Sequence, residues 1–345
     1  MPKKLFLPVF ALLTILTLSY AFLSRAAEES GAAEGLTVSP PIREVSLKPG
    51  EIYSDTVRLT NPTQNVVELY PKTMNFEARG EGGDPSFYEA DDTNHKYALA
   101  SWISYDQPKI ALAPQQVVEF KYQMKVPLDA EPGGHYGVIF FATNPPEKTE
   151  GTSQVSIASM VGSLILVRIP GNIKEEGLLE KFYSLKNLYV TTPVVFNTLV
   201  KNTGNIHFKP EGEIKIKNLW GGEVASMVFN AAKGNVLPDS SRKFEEKWAP
   251  ATEPFYKQPI GRFTANLQLE YGEAAKGLTS VVAFWVFPKW FIVTVAILLL
   301  ALAFFFIRLM IIKKHRRPPT HHPAPPHNPS RPGHYNPPRS HTNLS

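Results

Sequence analysis

The chain has 345 residues, among them 36 Lys/Arg, 31 Asp/Glu and no cysteine. That excludes a disulfide scaffold, a thiolate metal site and a cysteine nucleophile. Lys3, Lys4 and Arg25 lie at the front and eight basic residues lie from Lys289 onward, so the region between them holds all 31 acids against 25 Lys/Arg, a net −6. The overall charge of +5 therefore belongs to the two ends, and nucleic acid is not the implied partner.

Met-Pro-Lys-Lys opens the chain, the uncharged run Leu5 to Leu23 follows, and then Ser24-Arg25-Ala26-Ala27. A basic, an apolar and a small-residue region in that order predict a secretory signal peptide over 1–27. Cleavage after Ala21, Ala26 or Ala27 fits, and an uncleaved signal anchor stays open because the apolar run is 19 residues long.

From residue 33 the pattern changes to period two. "VRLTNPTQNVVEL" (57–69) predicts a strand, a turn on Asn-Pro-Thr-Gln-Asn and a second strand, with Pro62 presetting a turn position. "EARGEGGDPSFYEADD" (77–92) holds six carboxylates and three glycines. Its spacing matches no calcium loop, and a solvated hairpin loop is favoured over a cation site. Long loops on rigid scaffolds are where binding concentrates. Asp84, Phe87, Tyr88, Asp91 and Asp92, with Tyr97 nearby, are therefore the candidate ligand-facing residues.

Ala98 to Ile103 has room for one helical turn with Trp102 as a core plug. In "VVEFKYQMKVP" (117–127), Val118, Phe120, Tyr122, Met124 and Val126 face one way and charged residues the other, predicting a strand wet on one face. "PGGHYGVIFFAT" invites a catalytic reading of His135. No Gly-x-Ser-x-Gly elbow or His-Glu-x-x-His pattern accompanies it, and the glycines read better as the tight start of a core strand. "GSLILVRI" closes this region, and the boundary is placed at Pro170-Gly171.

Leu178 to Leu188 fits a short helix or a strand and loop equally well. "LVKNTGNIHFKPEG" (199–212) repeats the strand–turn–strand device, with Gly204 read as tolerating positive φ. "VLPDSSRKFEEKW" and "RFTANLQLEY" then parallel the second half of the first region. Short strands divided by turns, arranged twice, predict an all-β ectodomain of two tandem immunoglobulin-like β-sandwiches, 33–170 and 171–286. The paired Asn-containing turns mark the same corner of each.

Trp290 to Ile312 is predominantly apolar and carries one charge, Arg308; it is long enough to cross a bilayer and is followed at once by Lys313, Lys314, Arg316 and Arg317. A transmembrane α-helix over 287–312 is expected, with its basic end cytoplasmic. The tail, 313–345, has six of the nine histidines, nine prolines and no acid, a composition that cannot bury a core. A solvated stop-transfer tail, contact with anionic lipid and metal binding are the readings open for it.

The order of signal peptide, a sandwich opening "TVSPPIREVSLKPGEIYSDTVRLTN", "PGGHYGVIFFAT", a second sandwich with "VKNTGN", one span and a basic tail resembles the WxL-interacting surface proteins of Gram-positive bacteria. That resemblance implies a first sandwich associated with peptidoglycan and a second with host-surface ligands or partner proteins. The His/Pro-rich tail departs from it, and no family binding residue maps onto this chain. The expected function is a non-catalytic, single-pass plasma-membrane protein whose outward ectodomain binds cell-wall polymer or another surface or secreted protein. The alternative is an anchored chaperone or assembly factor for secreted subunits. No cofactor and no metal are expected.

Overall fold

The computed structural model describes residues 35–92, 95–143, 160–250, 254 and 257–315. The expected signal peptide, 1–27, and nearly all of the tail lie outside the described residues.

The first sandwich is built from β1 (Thr37–Ser39), β2 (Ile42–Ser46), β3 (Ile52–Thr60), β4 (Val67–Arg79), β5 (Asp84–Glu89), β6 (Ile103–Ser104), β7 (Ile110–Leu112), β8 (Val117–Lys125), β9 (Gly133–Ala142) and β10 (Met160–Ile169). One sheet runs β1-β3-β8-β6; the other runs β2-β10-β9-β4-β5, with β7 also paired to β4. The alternation in β8 is as the sequence indicates. Phe120, Tyr122, Met124 and Val126 are buried and point at Phe141, Ile165 and Val167 of the facing sheet in one core. The turn at 98–103 forms a short 3₁₀ segment, Ala100–Trp102, with Trp102 packed on this core.

The second sandwich comprises β11 (Gly177–Ser184), β12 (Leu188–Tyr189), β13 (Val194–Asn202), β14 (Glu211–Asn218), β15 (Glu223–Phe229), β16 (Ser241–Trp248), β17 (Gly261–Tyr271) and β18 (Lys276–Val286). Its sheets run β11-β13-β16 and β12-β18-β17-β14-β15. Leu178 to Leu188 is thus strand, not helix. Phe263, Ala265, Leu267, Leu269 and Tyr271 on β17 all enter the core, against Phe196, Phe229 and Phe284.

The two sandwiches repeat one plan. In each, a strand of one sheet hands over to a short strand that pairs parallel with the last strand of the other: β2 on β10, and β12 on β18. Each also has one fully buried asparagine at a corresponding turn, Asn61 just after β3 and Asn202 at the end of β13. Asn61 Nδ2 donates to the carbonyls of Asn65 (2.8 Å), Ala113 (3.0 Å) and Leu112 (3.2 Å), while its Oδ1 accepts from Thr63 N (3.1 Å). Asn202 Nδ2 donates to the carbonyls of Ile206 (2.7 Å) and Val236 (2.9 Å), and its Oδ1 accepts from Gly204 N (2.9 Å). The side-chain amide thus ties the turn to the neighbouring strand, which backbone pairing cannot reach at a corner. Gly204 is needed for a different reason than positive φ, a conformation seen at Gly50, Gly133 and Gly171 but not at Gly204. A Cβ at Gly204 would lie 2.0 Å from the Lys174 carbonyl oxygen, so the requirement is space.

Strand β9 departs from the one-face-wet pattern. It is buried on both faces, because Tyr136 and Val138 on its outer side form a second cluster with Phe76 and Leu166. Leu237 of the second sandwich packs on that cluster. Both sandwiches accordingly fall in a single compact unit ending at Phe287. A separate unit from Pro288 holds α1 (Lys289–His315). Lys289 to Ile312, 24 residues, is long and apolar enough to cross a membrane by length and composition.

Candidate functional site

The junction of the sandwiches is built from the turn 202–205. Asn205 is its fastener: Oδ1 accepts from Lys174 N (2.7 Å), and Nδ2 donates to the carbonyls of Asn172 (3.0 Å) and Pro132 (3.1 Å). The Asn205 carbonyl accepts from Gly134 N at 2.9 Å. This is what the glycines of "PGGHYG" permit: a Cβ on Gly133 would lie 2.6 Å from that carbonyl oxygen, and one on Gly134 would lie 1.9 Å from the Tyr136 hydroxyl. Tyr136 itself crosses the junction, its hydroxyl accepting from His207 N (3.0 Å) and meeting His207 Nδ1 at 3.2 Å. Burial lowers the His207 pKa to about 4, so the ring is neutral at pH 7 and Nδ1 is free to accept the Tyr136 proton. The same burial pushes the Tyr136 phenol well above its usual range.

Beside this seam opens a cleft of about 840 Å³, walled by β2 and β10 of the first sandwich and by β14, β17 and β18 of the second. Its charged lining comprises Glu44, Glu175, Glu211, Glu213, Glu270 and Glu273 against Arg168 and Lys209. Glu44 takes an ion pair from Lys209 (2.6 Å) and a hydrogen bond from Asn235 (2.8 Å). Burial pushes its carboxyl up, and these two donors outweigh that and hold it below the usual range. Arg168 bridges Glu175 (3.2 Å) and Glu273 (3.0 Å). Glu213 pairs with Lys215 on its own strand. Glu211 and Glu270 face each other across β14 and β17, a like-charge pair that a sheet does not choose for stability. The cleft is therefore a negative surface, suited to a cationic group that would settle between those two carboxylates.

The residues singled out in the sequence lie elsewhere. Nine of the sixteen residues of the acidic stretch are strand: Glu77–Arg79 ends β4 and Asp84–Glu89 is β5, with a turn between them and Ala90, Asp91 and Asp92 beyond β5. Phe87 packs edge-on against Phe140 at 4.8 Å and is 37 % exposed. Tyr88 donates to Glu77 and lies 3.9 Å from the His95 ring, which also meets Asp92 at 3.2 Å. Tyr97 donates to Asp239 of the second sandwich at 2.8 Å; burial and that carboxylate raise its pKa. Asp84 lies on the far side of the hairpin turn, whose Glu81 carbonyl accepts from Lys243 N at 2.7 Å. Asp91 is exposed just beyond β5. The structure thus brings Tyr97 and the hairpin turn to the junction as contacts between sandwiches and leaves Asp91 on the surface. Among the described residues no group of three or more His, Asp or Glu is arranged to hold a metal ion.

His135 is equally occupied. Its Nδ1 and Nε2 lie 3.1 and 3.0 Å from the carbonyls of Ala98 and Glu131, and its ring packs at a tilt of 42° on Trp102, 4.5 Å between centroids. Sequence reasoning missed the cleft because its residues are scattered from Glu44 to Thr279 and carry no spacing signal.

No protein-family model matches the chain. No curated protein matches it either. Among solved structures, the chain is similar to the class 5 fimbriae chaperone CfaA, at 12 % identity over 72 % of this chain and 98 % of that one, with a TM-score of 0.35. A chain of the CsuC–CsuE chaperone–tip adhesion subunit pre-assembly complex of Acinetobacter baumannii Csu pili matches at 12 % identity over 74 % and 100 %, TM-score 0.33. The E. coli chaperone DraB matches at 13 % over 73 % and 96 %, TM-score 0.31. These are likenesses of β-sandwich fold.

Proposed function

We propose that the chain is a membrane-anchored, non-catalytic binding protein that holds a segment of a partner protein in the cleft between its sandwiches, in the manner of an assembly factor for secreted subunits. The observation that carries this reading is the cleft itself, a negative groove with walls from two sandwiches that Tyr136, His207 and Asn205 hold together. A preformed groove binds without ordering its own walls, and that lowers the cost of association. Its charge suits a Lys- or Arg-bearing segment and opposes an anionic wall polymer. Edge strands add a second mode of contact. Among the described residues β15 pairs only with β14 and β5 only with β4, so an extended segment has backbone groups to pair with. In this proposal α1 spans the plasma membrane once with the ectodomain outside, and the resemblance to WxL-interacting surface proteins extends to architecture.

The test is binding by the full chain in lipid nanodiscs. Extended peptides of either charge, anionic wall polymer and neutral peptidoglycan are compared with and without the double substitution Glu211→Gln, Glu270→Gln. Saturable binding of the cationic peptide, weakened by added salt and by the double substitution, is expected. Binding of wall material that the substitutions leave untouched would replace this reading with a wall-anchoring one.

A further inference from the structure

The far end of the second sandwich carries a feature the cleft does not use. Strand β14 ends at Asn218 and β15 starts at Glu223, and the turn between them holds Leu219, 59 % exposed, and Trp220, 89 % exposed. This is a built turn. Asn218 Oδ1 accepts from the N–H groups of Trp220 and Gly222, both at 3.0 Å; Asn218 N donates to Gly222 O at 2.8 Å; and Gly221 takes φ +81°. The side chain with the greatest apolar payload in the chain is thus held out into solvent by a fixed scaffold, a placement that marks an interaction surface.

The register says which surface. Asn218 pairs with Phe263, and Phe263 pairs with Phe284, so Leu219 and Trp220 extend to the level of Trp285 and Val286. At that level the chain leaves the sheet, and only Phe287 and Pro288 separate Val286 from Lys289, the first residue of the apolar helix. Three Cα steps reach at most ~11 Å. Two strand spacings, from β18 across β17 to β14, are about 10 Å. Trp285, 43 % exposed and stacked with Phe287, Ile260 at 37 % and Val190 at 38 % share this end, as do the exposed cations Lys257 and Arg262; among the described residues Glu223 is an exposed acid there.

We propose that this end of the second sandwich docks on the surface of the bilayer that the chain's own helix spans, with Leu219 and Trp220 inserted at the lipid interface as a second foothold. The apolar residues enter the headgroup region, where Trp is favoured, and Lys257 and Arg262 meet lipid phosphates. The ectodomain is then fixed at two points and does not swivel on the two-residue link. The inference rests on α1 being a membrane span.

The absence of cysteine makes a direct test possible. Full-length chains with one introduced cysteine, Leu219→Cys or Trp220→Cys, carry a single nitroxide label in phosphatidylcholine–phosphatidylglycerol vesicles. Leu128→Cys, on the first sandwich and 87 % exposed, is the water reference, and Val295→Cys in α1 is the lipid reference. The ratio of oxygen to nickel-chelate accessibility at 219 and 220 is expected to be several-fold above that at 128 and to approach that at 295. A ratio at both tip positions equal to that at 128, with 295 in lipid, overturns the docking and leaves the span intact. A water-like ratio at 295 overturns the span, and the docking with it.

Discussion

His207 makes the junction between the sandwiches sensitive to acid. It is held neutral because burial lowers its pKa from the usual 6.5 to about 4; Lys209 and Arg168 push the same way, and Glu44 and Glu175 oppose them. The unfolded chain binds this proton below about pH 6.5 and the folded chain only near 4. Stability from this group is therefore fully present above pH 6.5 and is lost as the pH falls toward 4. The gap of 2.5 between the two values, 6.5 and about 4, corresponds to roughly 3 kcal/mol at 1.36 kcal/mol per pH unit. Protonation would also turn Nδ1 from an acceptor into a donor facing the Tyr136 hydroxyl. The informative comparison is His207→Asn, since an asparagine Oδ1 keeps an acceptor where Nδ1 stands and does not titrate. Urea unfolding of the full chain in non-ionic micelles, followed by tryptophan fluorescence at pH 7 and pH 4.5, gives the difference in stability between the two proteins. That difference is expected to move by about 2–3 kcal/mol against the wild type on acidification. Carboxylates titrate in both proteins and cancel. Parallel loss of stability in wild type and variant would refute the assignment of this proton to His207.

Three further outcomes follow from the junction and the corners. Asn61→Ala and Asn202→Ala each strand buried carbonyls and a turn N–H, and each is expected to cost about 2–3 kcal/mol in the same unfolding assay. Gly204→Ala places a methyl 2.0 Å from the Lys174 oxygen; a loss of about 1–3 kcal/mol is expected, and a neutral result would show that the turn 202–205 moves freely. Tyr136→Phe removes the acceptor for His207 N and is expected to cost about 1–3 kcal/mol, with faster hydrogen exchange at the amides of Gly134 and His207 than at the core amide of Leu267.

The fold was legible where one face of a strand is wet. Period two in β8 and β17 identified their core residues directly, because solvent on the other face forces the alternation. The pattern of one wet face does not extend to β9, where Tyr136 and Val138 are buried on the outer side by Phe76, Leu166 and Leu237, and nothing local records such cover. The acidic stretch was misjudged for a related reason. Its charges lie on and around an edge strand, where water reaches one side and a composition like that of a loop is tolerated. The cleft was illegible altogether, since its carboxylates come from β2, β14, β17 and two connections.

The repeated turn shows how one device came to serve two ends. In both sandwiches a buried asparagine ties the corner to a neighbouring strand, and that function needs only the first residue of the motif. The last residue differs in its work. Asn65 supplies a carbonyl to Asn61 within its own turn, whereas Asn205 spends its side chain on Lys174, Asn172 and Pro132 and its carbonyl on Gly134. The second turn presses its Asn205 carbonyl against Gly133 of the first sandwich, where a Cβ would lie 2.6 Å away, while Gly204 clears the Lys174 carbonyl of the β10–β11 connection and Gly134 clears the Tyr136 hydroxyl of its own strand. The first turn, with Pro62, Thr63 and Gln64, bears no such contact and tolerates side chains at every position. The glycines of "NTGN" and "PGGHYG" therefore clear three separate close approaches, and the one at Gly133 crosses between the sandwiches. Gly133→Ala should loosen the wall of the cleft while both β-cores stay packed.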